Sequence, residues 1–271
     1  MKIFKNKTNS LKEISGLKDI AFVPTMGSIH KGHLSLIKRA KKESKNILVS
    51  IYINPKQFNL TSEFQKYPRN INKDISLLKK LRIKYLYLPN YNDIYSFRTK
   101  LPVYLSKFSK KLCGKFKRGH FRGVINVVNR FIEIINPKSI FLGFKDFQQL
   151  TLIKHHINKN NISTKVVACP TIREKSGIAV SSRNMKLNKK QTKIAQNVYK
   201  YLKDYKKKNT SLMIKLNQLD IINNIKLFGV EKIEYIEHLN LKTLKKPKNK
   251  YEKSNIFIAY YINNVRLIDN L

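Results

Sequence analysis

The chain has 271 residues, 42% of them hydrophobic and 10% aromatic, enough for one large soluble domain or two modest ones. Its charge is extreme: 56 Lys and Arg against 16 Asp and Glu give a formal net charge of +40. No apolar run is long enough to cross a bilayer, and Met1 to Ser10 is polar, without a signal-peptide core. Two cysteines, Cys113 and Cys169, have neither pairing nor metal-ligand spacing and read as reduced thiols. These features exclude a membrane-spanning chain and a disulfide scaffold, and a cytoplasmic location is expected.

The lysine excess suits a nucleic-acid or membrane-surface binder. The lysines are spread along the whole chain, however, rather than gathered on one tail or helix face. Lys, Asn and Ile share AT-rich codons, so base composition accounts for the bias, and neither a specific nucleic acid nor a membrane is expected as partner.

In chain order, "IAFVP" (Ile20–Pro24) reads as a short buried strand, and Leu34, Ile37 and Ala40 give His33 to Ser44 a helical period. "NILVSIYIN" (Asn46–Asn54) is the clearest strand. A helix follows over Ile71 to Leu81, then the strand "KYLYLP", then a helix over Phe121 to Ile135 stopped by Asn136-Pro137. "SIFLG" and "TKVVACP" are further strands around a helix over Phe147–Asn158. Strands alternating with helices predict an α/β fold, a Rossmann-like parallel sheet with helices on both faces. Beyond "SSRN" the character changes. Helices are expected at Gln191–Lys203 and Leu212 to Phe228, strands at "KIEYIEHLN", "NIFIAYYI" and "VRLIDNL", and a solvated loop over Lys242–Lys253. The expected organisation is a Rossmann-like domain over 1–174, a connecting loop over 175–183, and a small α+β domain over 184–271.

In parallel sheets, ligands sit beyond the carboxyl ends of the strands. The unusual polar motifs fall there: Pro24–His33, Asn54–Phe58, Gly143–Gln149 and Pro170–Arg173. In "FVPTMGSIHKGHLSLI", His30 and His33 are three apart where a strand turns into a helix. A zinc-protease pair would be four apart with a glutamate between them, so no metal site is expected. A pair of core histidines would not call for Gly32 at a helix start. A helix beginning near Gly32 points its positive dipole end at an anion. Imidazoles there can donate to phosphate oxygens as pyrophosphate departs.

"PTMGSIHKGH" resembles the His-x-Gly-His signature of the nucleotidyltransferase superfamily, which includes class I aminoacyl-tRNA synthetases. With "SIYINPKQF", "YPRN", "GHFRGV", "GFKDFQQL" and "SSRN" in this order, the chain is similar to one family within it, the pantoate–β-alanine ligases; "RLIDN" near the end fits as well. The resemblance implies an ATP-dependent, AMP-forming ligation. Pantoate is adenylated with loss of pyrophosphate, and the amine of β-alanine then attacks pantoyl adenylate to give pantothenate. The domain over 1–174 would then bind nucleotide and pantoate, and the loop over 175–183 would belong to the active site. The resemblance also implies Mg²⁺ accompanying ATP, held mainly by phosphates and water, and a homodimer.

Residue by residue, the resemblance implies a catalytic role for His33 as donor to the phosphates, with His30 beside it and Lys145 as a mobile point charge. Met26, Gly27, Ser28, Ile29, His30, Lys31, Gly32 and His33 match the ATP-binding turn, and Gly143, Phe144, Lys145 and Asp146 a second nucleotide-binding turn. Ile172 matches a residue packing near adenine, and Val180, Ser181, Ser182 and Arg183 match the loop that closes on the triphosphate. Gln57 and Gln149 match the two pantoate-binding glutamines, and Asn54 is expected to assist pantoate or β-alanine. Phe144 stands where relatives commonly carry glutamate. Arg122 is expected to help order the site. The alternatives are another adenylyltransferase of the same signature, a truncated tRNA synthetase, and a basic nucleic-acid-binding protein.

Overall fold

The computed structural model describes residues 1–208 and 217–271, with the side chains of Ser10 and Leu11 left aside. The chain divides into two compact units, Met1–Pro170 and Thr171–Leu271. The first contains β1 (Lys2–Phe4), α1 (Lys7–Ile14), β2 (Ala21–Thr25), α2 (Lys31–Glu43), β3 (Ile47–Ile51), α3 (Thr61–Gln65), α4 (Ile71–Lys80), β4 (Tyr85–Tyr87), α5 (Tyr91–Tyr95), α6 (Cys113–Phe116), α7 (His120–Ile135), β5 (Ser139–Gly143), α8 (Phe147–Lys159) and β6 (Lys165–Cys169). The second contains α9 (Lys189–Lys208), α10 (Gln218–Leu227), β7 (Lys232–Asn240), β8 (Ser254–Ile262) and β9 (Val265–Asn270). The part of the expected helix over 212–216 lies outside the described residues.

Strands β1 to β6 form a wholly parallel sheet in the order β1-β4-β3-β2-β5-β6. The strands read as near-continuous apolar runs because both faces are covered. On one face Ala21, Val23, Ile47 and Val49 pack with Leu36, Ile37 and Ala40 of α2 and Leu78 of α4. On the other, Phe22 and Tyr87 meet Phe131 of α7, with ring centroids 5.4 and 6.1 Å apart.

The order reverses between β2 and β5. From β2 the chain proceeds to β3 and β4 on one side, then returns to place β5 and β6 on the other. This is the switch point at which open parallel sheets leave a crevice. One residue widens it. Ala21 and Thr25 hydrogen-bond toward β3, whereas the Ile20 carbonyl bonds to Ser139 at the start of β5. Strand periodicity therefore turns Pro24 toward β5. Proline has no N–H to give, and β2–β5 pairing stops at Phe22↔Ile140 while β2–β3 pairing runs on to Thr25↔Ile51. The two strands part just where their polar turns begin.

In the second unit, β7-β8-β9 form an antiparallel sheet. Helices α9 and α10 cover it through Ala195, Val198, Leu202, Ile221 and Ile225, packed with Ile236, Ile256 and Ile258. Among the described residues, no helix is long and apolar enough to cross a membrane. Cys113 and Cys169 are buried and are not joined in a disulfide.

Candidate active site

The turn after β2 is held from below. Thr25 Oγ1 donates to the Ser50 carbonyl at 2.8 Å and accepts the Gly27 N–H at 3.1 Å. Gly27 and Ser28 both take left-handed backbone, with φ of 80° and 53°. Ser28 bears a Cβ, so that conformation needs support. Asp74 of α4 supplies it: its carboxylate accepts the Ser28 N–H at 2.7 Å and the Ile29 N–H at 2.8 Å. Asp74 is buried, and nothing in the local sequence around it signals this task.

His30 is the N-cap of α2, so the helix begins at Lys31, one residue before the start expected near Gly32. The two imidazoles form a reciprocal capping box. His30 Nδ1 accepts the Gly32 N–H at 3.1 Å, and His33 Nδ1 accepts the His30 N–H at 3.3 Å. This is the Ser-x-x-Glu device built from histidines. Gly32 permits it, since a Cβ there would lie 2.9 Å from His30 Cε1. The rings stack at 4.0 Å between centroids.

A backbone N–H can only donate, so both Nδ1 atoms are acceptors and each neutral ring carries its proton on Nε2. Burial pushes the His33 imidazole down to about 3, with His30 adding to the fall and Asp146 opposing it. Burial and Lys145 lower His30 likewise, against Asp146 and Asp74. The pair is thus two neutral rings offering Nε2–H donors at the positive end of α2.

The second turn follows β5. Gly143 ends that strand opposite Cys169, and Phe144–Asp146 form one 3₁₀ turn leading into α8. Lys145 Nζ lies 3.2 Å from Asp146 Oδ1, and the opposite effects of these two charges on His30 and His33 place both turns in one electrostatic field. Phe144 packs its ring on Phe147, with centroids 5.2 Å apart. In α8, Gln148 is buried and donates to the Phe108 and Lys111 carbonyls at 2.8 and 2.7 Å. Gln149, one position on, is half-buried.

The third turn follows β3. Gln57, at the end of the Pro55–Gln57 3₁₀ turn, reaches Met26 Sδ with its Nε2 at 2.9 Å, which brings this turn to the first. Asn54 is only 1% exposed. Its Nδ2 donates to Gln57 Oε1 and to the Gly123 carbonyl, both at 3.2 Å, so it stands behind Gln57 as a support. Arg122 is exposed on α7. His120 Nδ1 lies 2.6 Å from the Gln57 carbonyl, a contact in which the imidazole must donate.

The remaining predicted residues belong to the second unit. Ile172 to Val180 fold into a tight hairpin, with Val180 N–H donating to the Ile172 carbonyl at 2.9 Å and Glu174 N–H to the Ile178 carbonyl at 2.9 Å. Arg173 ties the hairpin to β9 through a two-pronged ion pair with Asp269, at 2.7 and 2.9 Å. Ser181 caps the Ser182–Lys186 3₁₀ turn, its Oγ accepting the Arg183 N–H at 3.2 Å. In the first unit, Lys31 is exposed at the first position of α2.

Two neutral imidazole donors, a lysine and a helix dipole around a crevice suit the phosphates of a nucleotide, and the amide of Gln57 beside Met26 suits a small oxygen-rich acid. The comparisons concern the chain as a whole. The family model described as Pantoate-beta-alanine ligase matches residues 2–271. A pantothenate synthetase of Thermodesulfovibrio yellowstonii is 39% identical over 258 residues, covering 94% of this chain and 91% of its own. The solved structure of the pantoate-beta-alanine ligase of Francisella tularensis, complexed with beta-gamma ATP and beta-alanine, superposes with a TM-score of 0.85. It is 36% identical and covers 100% of this chain and 97% of its own. That of the pantothenate synthetase of Thermus thermophilus gives a TM-score of 0.88 at 28% identity, covering 100% and 99%. The chain belongs to the pantoate-beta-alanine ligase family.

Proposed function

We propose that this chain joins pantoate and β-alanine into pantothenate, converting ATP to AMP and pyrophosphate through pantoyl adenylate. The observation that carries the reading is the His30–His33 capping box in the turn after β2, which engages both Nδ1 atoms and leaves two Nε2–H donors at the N-terminus of α2. In the first step a pantoate carboxylate oxygen attacks the α-phosphorus and the pyrophosphate oxygen takes the bonding pair. Charge then grows on the leaving phosphates. His30, His33 and Lys145 face that charge, and the second turn closes on it from β5. The resemblance assigns Ser181, Ser182 and Arg183 of the second unit as hydroxyl and guanidinium partners for phosphate oxygens. Ile172 and Val180 give the nucleotide apolar contact, and Gly143 with Asp146 the turn for its ribose.

Gln57 and Gln149 hold pantoate with neutral amides. A bound arginine would stabilise the free carboxylate and blunt its attack. In the second step the free amine of β-alanine attacks the acyl carbon, AMP leaves with the bonding pair, and the amine sheds one proton. Keeping water from the mixed anhydride until then is the task of the closed site.

Among the described residues, no group of three His, Cys, Asp or Glu side chains is placed to hold a metal ion. Mg²⁺ accompanying the triphosphate would be held mainly by phosphates and water, with Asp146 the residue of the second turn that would help hold it. Bound there, Mg²⁺ would offset phosphate charge. We place the enzyme in the cytoplasm as a homodimer. A coupled AMP-release assay, omitting pantoate, β-alanine or ATP in turn, tests the reading. AMP should require all three, and pyrophosphate exchange should require pantoate alone. Exchange driven by an amino acid or a mononucleotide instead would overturn it.

A further inference from the structure

The Gln57 side chain is held in one polarity by a chain of hydrogen bonds that begins at Tyr95. Asn54 is the middle link. Its Oδ1 accepts the Lys56 N–H at 3.3 Å and its Nδ2 donates to the Gly123 carbonyl at 3.2 Å. Both partners are backbone groups of fixed character, so the amide of Asn54 has one admissible orientation. Nδ2 then also donates to Gln57 Oε1, which commits the Gln57 oxygen to Asn54 and leaves its NH₂ facing Met26 in the turn after β2. The Tyr95 hydroxyl, 2.8 Å from Asn54 Oδ1, can only be the donor.

We infer that Tyr95 is a positioning residue: its hydroxyl anchors Asn54 in place, and Asn54, whose polarity the backbone sets, commits Gln57 to presenting an NH₂ donor, so that this subsite selects an oxygen acceptor of pantoate. The inference rests on the reading of Gln57 as a pantoate-binding residue.

The surroundings are built for that task. The Lys56 ammonium sits 4.0 Å from the Tyr95 ring centroid and the Arg130 guanidinium 5.0 Å from it. Such contacts clamp the ring and draw density from it, which sharpens the hydroxyl as a donor. Burial raises the Tyr95 phenol to about 12 against the opposing pull of Arg130 and Asn54, so its proton stays in place at working pH. Gly123 is needed for the Asn54 link, because a Cβ there would lie 2.0 Å from the Lys56 carbonyl oxygen. His120 holds the Gln57 main chain at 2.6 Å, so main chain and side chain are both fixed. Without the chain an amide can turn over, and a carbonyl facing a carboxylate or a hydroxyl lone pair repels it.

The test compares Tyr95→Phe, Gln57→Ala and the double variant, with initial rates read against pantoate and against ATP. Tyr95→Phe removes one hydroxyl and should lower kcat/KM for pantoate roughly 5- to 10-fold, the scale of one hydrogen bond. KM for ATP should stay within about twofold of the parent. In the Gln57→Ala background the same substitution should have no further effect, as coupled residues require. A Tyr95→Phe enzyme with unchanged pantoate kcat/KM, or an equal loss in both backgrounds, overturns the inference. Should Tyr95→Phe lower the melting midpoint substantially, Asn54→Asp takes its place. It offers Gln57 only acceptors, turns that amide around and should cost pantoate kcat/KM more than Tyr95→Phe. An Asn54→Asp enzyme with parental pantoate kcat/KM overturns the inference too. Gln57→Ala alone tests the underlying assignment. If it leaves pantoate kcat/KM intact, Gln57 is outside the subsite and the inference falls with it. A loss in Gln57→Ala with none in Tyr95→Phe removes Tyr95 and leaves Gln57 in place.

Discussion

The carboxylate of Asp74 receives the backbone N–H of Ser28 at 2.7 Å, across 46 residues of sequence. Its other oxygen takes the Ile29 N–H, so one buried side chain shapes the turn that leads into His30. Asp74→Asn keeps the volume but sets an NH₂ group against one of these donors. A donor left unpaired costs about 1–3 kcal/mol. The expected result is a lower melting midpoint together with a KM for ATP raised roughly 10-fold or more, since the proposed function puts the nucleotide at this turn. Pantoate KM should change far less. Calorimetry and initial rates check both. An Asp74→Asn enzyme with parental KM for ATP would show that the turn holds its shape unaided.

His33 Nδ1 accepts the His30 N–H at the start of α2, and the proposed function gives its Nε2–H a second job as donor to the phosphates. His33→Asn separates them. Asn supplies an oxygen acceptor for the His30 N–H, but it is too short to reach outward as Nε2 does. Folding should be nearly parental, while pantoate-dependent pyrophosphate exchange falls about 100- to 1000-fold, the scale of losing one preorganised donor. Near-normal exchange by this variant would remove His33 from the chemistry.

Most of the sheet, and with it the places of the turns after β2 and β5, was legible, because strands buried on two faces are continuous apolar runs, as "NILVSIYIN" and "SIFLG" are. The edge strand β1 was not, since three residues carry no period. The start of α2, read near Gly32, lies one residue earlier, because imidazole is outside the usual capping set and His30 did not read as an N-cap. The site's supports were hidden for a different reason. Asp74 meets Ser28 across 46 residues and Tyr95 meets Asn54 across 41, and local periodicity contains neither distance. Asp74 reads as an ordinary acidic residue near the start of a helix, and Tyr95 as one of many tyrosines.

The histidines also govern acid stability. Burial lowers His33 to about 3 and His156 to about 4, and lowers His30 and His155 in the same direction, from the ordinary 6.5. All are therefore neutral in the folded chain where the unfolded chain would bind protons. Below pH 6.5 the unfolded state takes up more protons, so stability is complete above that value and falls as the pH drops toward 3. Melting midpoints measured from about pH 7.5 down to about pH 5 should decline steadily, and less steeply in His33→Asn, which removes one of the titrating rings. A flat profile across that range would contradict the neutral pair.

In the second unit, the half-buried Arg173–Asp269 pair makes two parallel hydrogen bonds, and Arg173 donates further to the Gly177 and Asn270 carbonyls at 3.0 Å. One guanidinium thus joins the hairpin over 172–180 to the end of β9, which gives "RLIDN" a physical meaning. Arg173 also lies over the Tyr199 ring at 4.6 Å. Lysine cannot reproduce a planar fork, so Arg173→Lys should lose most of the tie. Asp269→Asn keeps one acceptor and loses the charge, which leaves a partly buried guanidinium without its counter-ion. Each variant should cost about 1–3 kcal/mol of stability, the range for a charge-assisted hydrogen bond. The loss should be local: hydrogen exchange at the Val180 and Glu174 amides, which close the hairpin, should quicken before exchange in β8 does. Uniform acceleration across the unit would mean instead that the pair stabilises the whole sheet rather than the loop that carries Ser181, Ser182 and Arg183.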